Sequence, residues 1–344
     1  MATHDSHEYY EDDAPERGGR RRRRGGCIVL VIAAVLVIGA LVAAGLYLTS
    51  IGRSFDQQAQ NFDESFPAEE DRPEDGEATN ILLLGSDSGG GSGEDEDLPM
   101  VPNSGRSDTM MLIHVPEDGD DVQLMSIMRD TWVEVPGHGE HKINAALSLG
   151  GVPLTVETVE SMFDVRVDHV AAIDLEGFTG LVDTLDGVTV DSPTAFETND
   201  YSFAEGEQDL DSDQAMQFVR ERYSFDDGDF QRVRNQQAFM EGVMDEVLTP
   251  SNLANPARVQ DLVDDLAPYI TVDDTLSSWE LAQMGWNMRS VRSGDVTMFT
   301  LPVDGFGRSG DGQSILLRDD QAIDEIGEAM REDSLKEYVE DNDL

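Results

Sequence analysis

Asn80-Ile81-Leu82-Leu83-Leu84-Gly85 is an unbroken apolar run of strand length, and Ser86-Asp87-Ser88 follows it. A strand that is apolar at every position is covered on both faces, the habit of strands inside α/β folds. Thr109 to Val115 and Val122 to Met128 read as two further strands joined by a turn at 116–121. Arg106-Ser107-Asp108 borders the first of these and Arg129-Asp130-Thr131 the second. Lys142 to Ala146 opens a short helical segment. Beyond it, Leu154 to Phe163 reads as a helix, Val167 to Ile173 as a strand, Gly177 to Leu185 as a helix and Val188 to Val190 as a strand. That alternation predicts a three-layer α/β/α sandwich with a central mixed sheet. Helices at 256–267 and 276–289 lead to a strand at 296–301, and a last helix covers 319–331.

Upstream of the run, Cys27 to Leu48 carries no charge and follows a basic block, Arg20 to Arg24. At about 1.5 Å per residue this segment crosses a hydrocarbon core of roughly 30 Å. Its length and the polar extension before it favour a retained anchor over a cleaved signal. The positive-inside rule then puts residues 1–26 in the cytoplasm, a transmembrane helix at 27–49 and everything later outside the cell membrane. Residues 50–78 are acidic and polar and read as a stalk. The folded domain is expected over 79–331, and 332–344 reads as an acidic tail. Cys27 has no second cysteine to pair with.

The 344 residues hold 71 acidic against 23 basic side chains, a net charge of -48. Such a surface repels nucleic acid, so no nucleic-acid partner is expected. It fits a salty exterior, where screening softens self-repulsion. Only two lysines occur, Lys142 and Lys336, which makes the stretch Arg220 to Gln237 conspicuous. Ala215, Met216, Phe218 and Val219 lead up a helix, capped by Asp211 or Ser212, to Arg220 and Arg222. Asp226-Asp227-Gly228 breaks it, and a second helix carries Arg232, Arg234 and Gln236 on its first turns. Guanidinium forks gathered this way match phosphate oxygens. The alternative is that these arginines neutralise a helix C-terminus and pair with Asp226, Asp227 and Asp229.

In open α/β sheets ligands bind beyond the strand ends, where Asp87 and Arg129 fall, with Asp108 just before another strand. Each aspartate alone reads more readily as a loop cap or turn residue. Together with the arginines, the pair suits Mg²⁺ bound to a phosphate or pyrophosphate. No zinc-ligand spacing, nucleophile elbow or Walker loop is present. The Gly-rich acidic loop 89–98 reads as a flexible connector.

Five separated motifs resemble the LytR-CpsA-Psr family: 80–87, Gly105 to Met110, Ser126 to Thr131, Lys142 to Ala145, and Arg220 to Gln237. The resemblance covers roughly residues 79–248. It implies a membrane-anchored, extracytoplasmic phosphotransferase that moves a glycopolymer from a polyprenyl-pyrophosphate carrier onto peptidoglycan. It also implies that Asp87 and Asp108 hold Mg²⁺, or Mn²⁺ in its place, with Arg106 beside them. Arg129, Lys142, Arg220, Arg222, Arg232 and Gln236 would grip the pyrophosphate. Asp87 and Asp108 are the candidate proton acceptors, and Met162, Phe163, Phe178, Phe218 and Phe239 candidates to line a slot for the lipid. The chain departs from the family pattern after Asp87-Ser88, at Gln231 and at Asn235. Two other functions use similar residues, a hydrolase of the same lipid and a non-enzymatic envelope regulator.

Overall fold

The run at 80–85 becomes the middle of a sheet because both of its faces find cover. The computed structural model describes residues 52–86, 107–173, 175–225, 229–247, 249 and 255–344. In chain order the first strands are β1 (Gln60–Asn61), β2 (Thr79–Ser86), β3 (Ser107–Val115), β4 (Val122–Ser126), β5 (Thr131–Val135), β6 (Gly139–Lys142) and β7 (His169–Ile173). There follow β8 (Val188–Ser192), β9 (Phe196–Glu197), β10 (Ser202–Phe203), β11 (Gly206–Leu210), β12 (Ile270–Val272), β13 (Val296–Thr300), β14 (Val303–Arg308) and β15 (Ser314–Arg318). The helices are α1 (52–58), α2 (Ala145–Phe163), α3 (Leu175–Thr184), α4 (Ser212–Arg220), α5 (Asp229–Val247), α6 (Pro256–Leu266), α7 (Ser278–Asn287), α8 (Asp320–Arg331) and α9 (Leu335–Asp341).

Seven strands form a central mixed sheet in the order β1-β12-β7-β2-β3-β4-β13. β2 runs parallel to β7 and antiparallel to β3. Alternation along β2 and β3 then sends side chains to opposite faces. Leu82, Leu84, Met110 and Leu112 enter the main core, which they share with Val156 and Val159 of α2 and Ile323 and Ile326 of α8. Leu83, Gly85, Thr109 and Met111 look the other way, toward α3, α4 and α5. On that side Val188, Val190, Phe218, Phe239 and Val243 form a second apolar cluster. Here α5 comes so close to β8 that a Cβ on Gly242 would sit 2.2 Å from the Thr189 carbonyl oxygen.

The α/β alternation is as the sequence predicts, and α2 joins the two expected helical pieces across a break at Gly150 and Gly151. The segment expected as a stalk is instead part of the fold. β1 pairs with β12, Phe62 is buried in the main core, and Arg72 forms a buried ion pair with Glu160 at 2.7 Å. The expected tail at 332–344 folds too, because α9 buries Leu335 and Val339 in the same core. A four-stranded sheet, β14-β15-β5-β6, was not anticipated. Among the described residues no helix is long and apolar enough to cross a membrane. The span expected at 27–49 and the tail at 1–26 lie outside the described residues.

One buried polar group ties the fold to pH. His114 of β3 is 1% exposed, and its Nδ1 lies 2.8 Å from Asn80 Oδ1. Burial drives its pKa down to about 4, against the opposing pull of Asp333 and Asp121. A base whose folded pKa lies below its unfolded value stabilises the protein fully above the unfolded value, and that contribution is lost as pH falls through the interval between the two. His114 should therefore cost about 3 kcal/mol of stability between pH 6.5 and about 4. Urea unfolding of His114→Gln beside the parent, at steps across that window, checks this. The variant should lose the corresponding part of the slope.

Candidate active site

The arginine stretch folds as its spacing predicts. Asp211 caps α4 in a reciprocal capping box with Gln214, and α4 ends at Arg220. After Glu221 the chain turns, and Glu221 Oε1 accepts hydrogen bonds from the backbone N–H groups of Tyr223 and Ser224. α5 then starts at Asp229 and carries Arg232 in its first turn. Two amides lock these helices together: Asn235 Nδ2 donates to Phe218 O and Gln236 Nε2 to Val219 O, each at 3.2 Å. These contacts satisfy carbonyls at the end of α4 that lack partners within the helix. Asn235, 0% exposed, also accepts from Gln231 Nε2 at 3.0 Å. Two of the three departures from the family pattern, Gln231 and Asn235, are thus joined in one buried network that orients the helices.

Between the helices and the second face of the sheet lies a cavity of about 380 Å³. Arg129, Arg220, Arg222, Arg232 and Gln236, five of the predicted phosphate-binding residues, all line it. Arg129 reaches it from the turn after β4, closed by Thr131, which donates through N and Oγ1 to Met128 O. Arg232 is buried, Arg129 and Arg222 are half-buried, and Arg220 is exposed. The remaining lining is mainly apolar, from Leu83 and Met111 on the sheet to Phe178, Phe239, Met240 and Val243 on the helices. A cavity with cationic forks along one part and an apolar wall along the rest accommodates an amphipathic anion.

Lys142 is not brought there. Its Nζ pairs with Asp130 Oδ1 at 2.9 Å, and it is not among the lining residues. Of the expected lipid-slot residues, Phe178 and Phe239 line the cavity. Met162 and Phe163 belong to the main core instead, and Phe218 is fully buried in the second cluster. Tyr223 was missed, although it sits within the arginine stretch. It is 85% exposed, its hydroxyl lies 2.7 Å from Arg222 Nη2, and it lines the cavity.

Asp87, Arg106 and the loop 89–98 lie outside the described residues, and Asp108 is described by its backbone alone. That backbone carries an irregularity. Gly85 pairs with Thr109 and Ser86 with Ser107, so the ladder skips Asp108 in a β-bulge. Bulges of this kind are over-represented beside active sites, where they re-aim one residue. Among the described residues no group of three or more His, Cys, Asp or Glu could hold a metal.

The LytR_cpsA_psr family model matches residues 46–332. The chain is 32% identical over 256 residues to the polyisoprenyl-teichoic acid–peptidoglycan teichoic acid transferase TagU of Oceanobacillus iheyensis, covering 73% of this chain and 74% of that protein. It is also 32% identical over 276 residues to the probable cell wall biosynthesis protein LcpB of Corynebacterium glutamicum, covering 78% of this chain and 64% of that one. Its fold superposes on the crystal structure of B. subtilis TagV with a TM-score of 0.63 at 23% identity, covering 75% of this chain and 97% of that one.

Asn235→Ala should leave the Phe218 carbonyl and the Gln231 amide short of a partner in a buried place. The expected loss is about 1–3 kcal/mol of unfolding free energy. Chemical denaturation of the variant beside the parent measures it.

Proposed function

The chain belongs to the LytR-CpsA-Psr family and is a transferase of it, and on that premise we propose that it moves a cell-wall glycopolymer from a polyprenyl-pyrophosphate carrier onto peptidoglycan. The observation that carries this reading is that four arginines adjoin a long apolar wall in one cavity. A pyrophosphate and the first isoprene units of its lipid tail have that division of chemistry. The anchor at 27–49 would hold the enzyme in the cell membrane where the carrier resides, with the catalytic domain outside.

In the reaction a hydroxyl oxygen of the peptidoglycan sugar attacks the sugar-side phosphorus. The bond from that phosphorus to the bridging oxygen breaks, and polyprenyl phosphate leaves with the electron pair. The glycopolymer ends in a phosphodiester to peptidoglycan, and the hydroxyl proton passes to a carboxylate, Asp108 or Asp87. Arg129, Arg220, Arg222 and Arg232 offset charge building on the transferring and leaving oxygens. The positive end of the α5 dipole, next to Arg232, adds to this. The β3 bulge at Asp108 lies opposite the end of β2, one residue before Asp87 in sequence. Aspartate carboxylates are hard oxygen donors suited to Mg²⁺. When bound there, the ion would neutralise phosphate charge.

Losing one charge-assisted contact is worth roughly 1.5–3 kcal/mol, so Ala at any of the four arginines should weaken a polyprenyl-pyrophosphate analogue by about tenfold or more. Lysine at Arg220 or Arg222 should restore only part, because a point charge does not reproduce a fork. Arg318, paired at the surface with Asp320, should tolerate Ala. Asp87→Ala and Asp108→Ala should blunt the metal dependence of turnover more than donor binding. Calorimetric titration with and without Mg²⁺ separates these classes. Normal binding in all four arginine variants would overturn the site.

The apolar wall makes a separate claim. Val243→Phe puts a ring into the cavity and should exclude a long polyprenyl tail while leaving a short-chain analogue within about threefold. Transfer assays with purified full-length protein, lipid-linked glycopolymer and peptidoglycan test the whole reading. Release of polymer into water at the same rate without acceptor would make the protein a hydrolase instead.

A further inference from the structure

Helix α7 buries none of its residues and carries two of the chain's three tryptophans, Trp279 and Trp286, each 70% exposed. Seven residues apart, the two rings lie within about 20° of each other around the helix axis. Arg289 stacks on the outer ring, with Cζ 5.2 Å from the Trp286 centroid. Tryptophan combines a large apolar body with one N–H, and it concentrates where hydrocarbon meets water.

The first described residues of the chain lie against the start of α7. Asp56 accepts hydrogen bonds from Ser278 N and Oγ, both at 2.8 Å. A Cβ on Gly52 would meet Ser278 Oγ at 2.9 Å. Gly52 lies four residues beyond Leu48, where the uncharged run ends, and four extended residues span at most about 14 Å. At the far end of α7, Met288 shares an apolar cluster with Met240 and Val291. Met240 also lines the cavity, one helical turn beyond Gln236 and away from Arg232. The apolar end of the cavity is thus on the α7 side of the domain.

We propose that α7 lies in the lipid–water interface of the membrane that holds residues 27–48, with Trp279 and Trp286 among the headgroups. The apolar end of the cavity then faces the bilayer and its arginines face away. This placement rests on the membrane-anchored reading above. Helix α7 and its flanks carry acidic as well as basic groups, with Glu280 on the helix, Asp120 bonded to Ser290 Oγ, and Arg289 and Arg292 in the chain just after it. Attachment therefore comes from the two rings and not from attraction to anionic lipid.

The test uses the full chain reconstituted into phosphatidylcholine vesicles. Tryptophan emission is compared between ordinary lipid and lipid brominated near the headgroup, a quencher that acts at contact. Bromolipid should remove about half or more of the parent's emission. In Trp279→Ser/Trp286→Ser, where Trp132 remains, it should remove less than about a tenth. Both positions are exposed, and circular dichroism matching the parent's verifies that the fold is kept. Flotation with the vesicles reads the anchor separately. A chain that floats but is quenched no more than the double variant overturns the placement of α7 and leaves the anchor standing. A chain that does not float overturns both. Blue-shifted, unquenched emission that moves to the red as protein is diluted in lipid assigns the rings to a second copy, and also overturns the proposal.

Discussion

The site depends on one helix, α5, being held off the sheet. Asn235 and Gln236 tie its first half to the end of α4, and Gln237 Nε2 reaches Ser126 and Thr300 on the sheet. Further along, Gly242 lets its backbone come against β8. Pinned at these points, α5 cannot settle onto Leu83 and Met111, and the space beneath it stays open. Protein interiors are otherwise packed as densely as organic crystals, and a void of this size sealed and dry would cost much of a domain's stability. The polar amides do what apolar packing cannot, because hydrogen bonds fix a distance where hydrophobic contact only closes one.

The same helix organises the charge. Arg232 on its first turn and Arg220 and Arg222 at the end of α4 share a cavity only because the two amides keep these termini together. In a chain of net charge -48 that local excess of cations is surrounded by a surface of opposite sign. With a screening length of about 8 Å at physiological ionic strength, a group inside the cavity responds to the guanidinium groups lining it far more than to distant carboxylates. Lys142 shows the contrast. One carboxylate, Asp130, takes up its charge, and it serves the turn beside β5 and β6.

Much of this was legible in the sequence where one residue type had one physical use. The run at 80–85, apolar at every position, announced a strand covered on both faces, and scarcity of base made the arginines of 220–234 stand out. Periodicity does not say which layer is left open. Phe163 and Phe239 look alike in sequence, yet one fills the main core and the other lines the cavity. Residues 52–78 and 332–344 misled because their acidic surface hides a few anchors, namely Phe62, the Arg72–Glu160 pair, Leu335 and Val339. The β14-β15-β5-β6 sheet was missed because the pairing that joins its two hairpins is distant, with Leu316 aligned on Thr131. In the sequence Gln231 and Asn235 are only departures from the family pattern, and the fold shows them as the joint between two helices.

The acidic surface and the proposed donor, itself an anion, look mismatched until the route of encounter is considered. Through bulk water, a field of this sign slows the approach of an anion. On the proposed anchored reading, a donor held by its tail in the enzyme's own membrane would not take that route. It arrives within the bilayer plane, where local concentration replaces electrostatic steering. The apolar end of the cavity takes up hydrocarbon without regard to charge. The pyrophosphate would then meet the four arginines that line the cavity. Specificity for a lipid-borne anion over a free one follows from this order of contacts. A soluble phosphate would have to cross the repelling surface and would leave the apolar wall uncovered, so the charge that disfavours free anions costs the lipid-linked donor little.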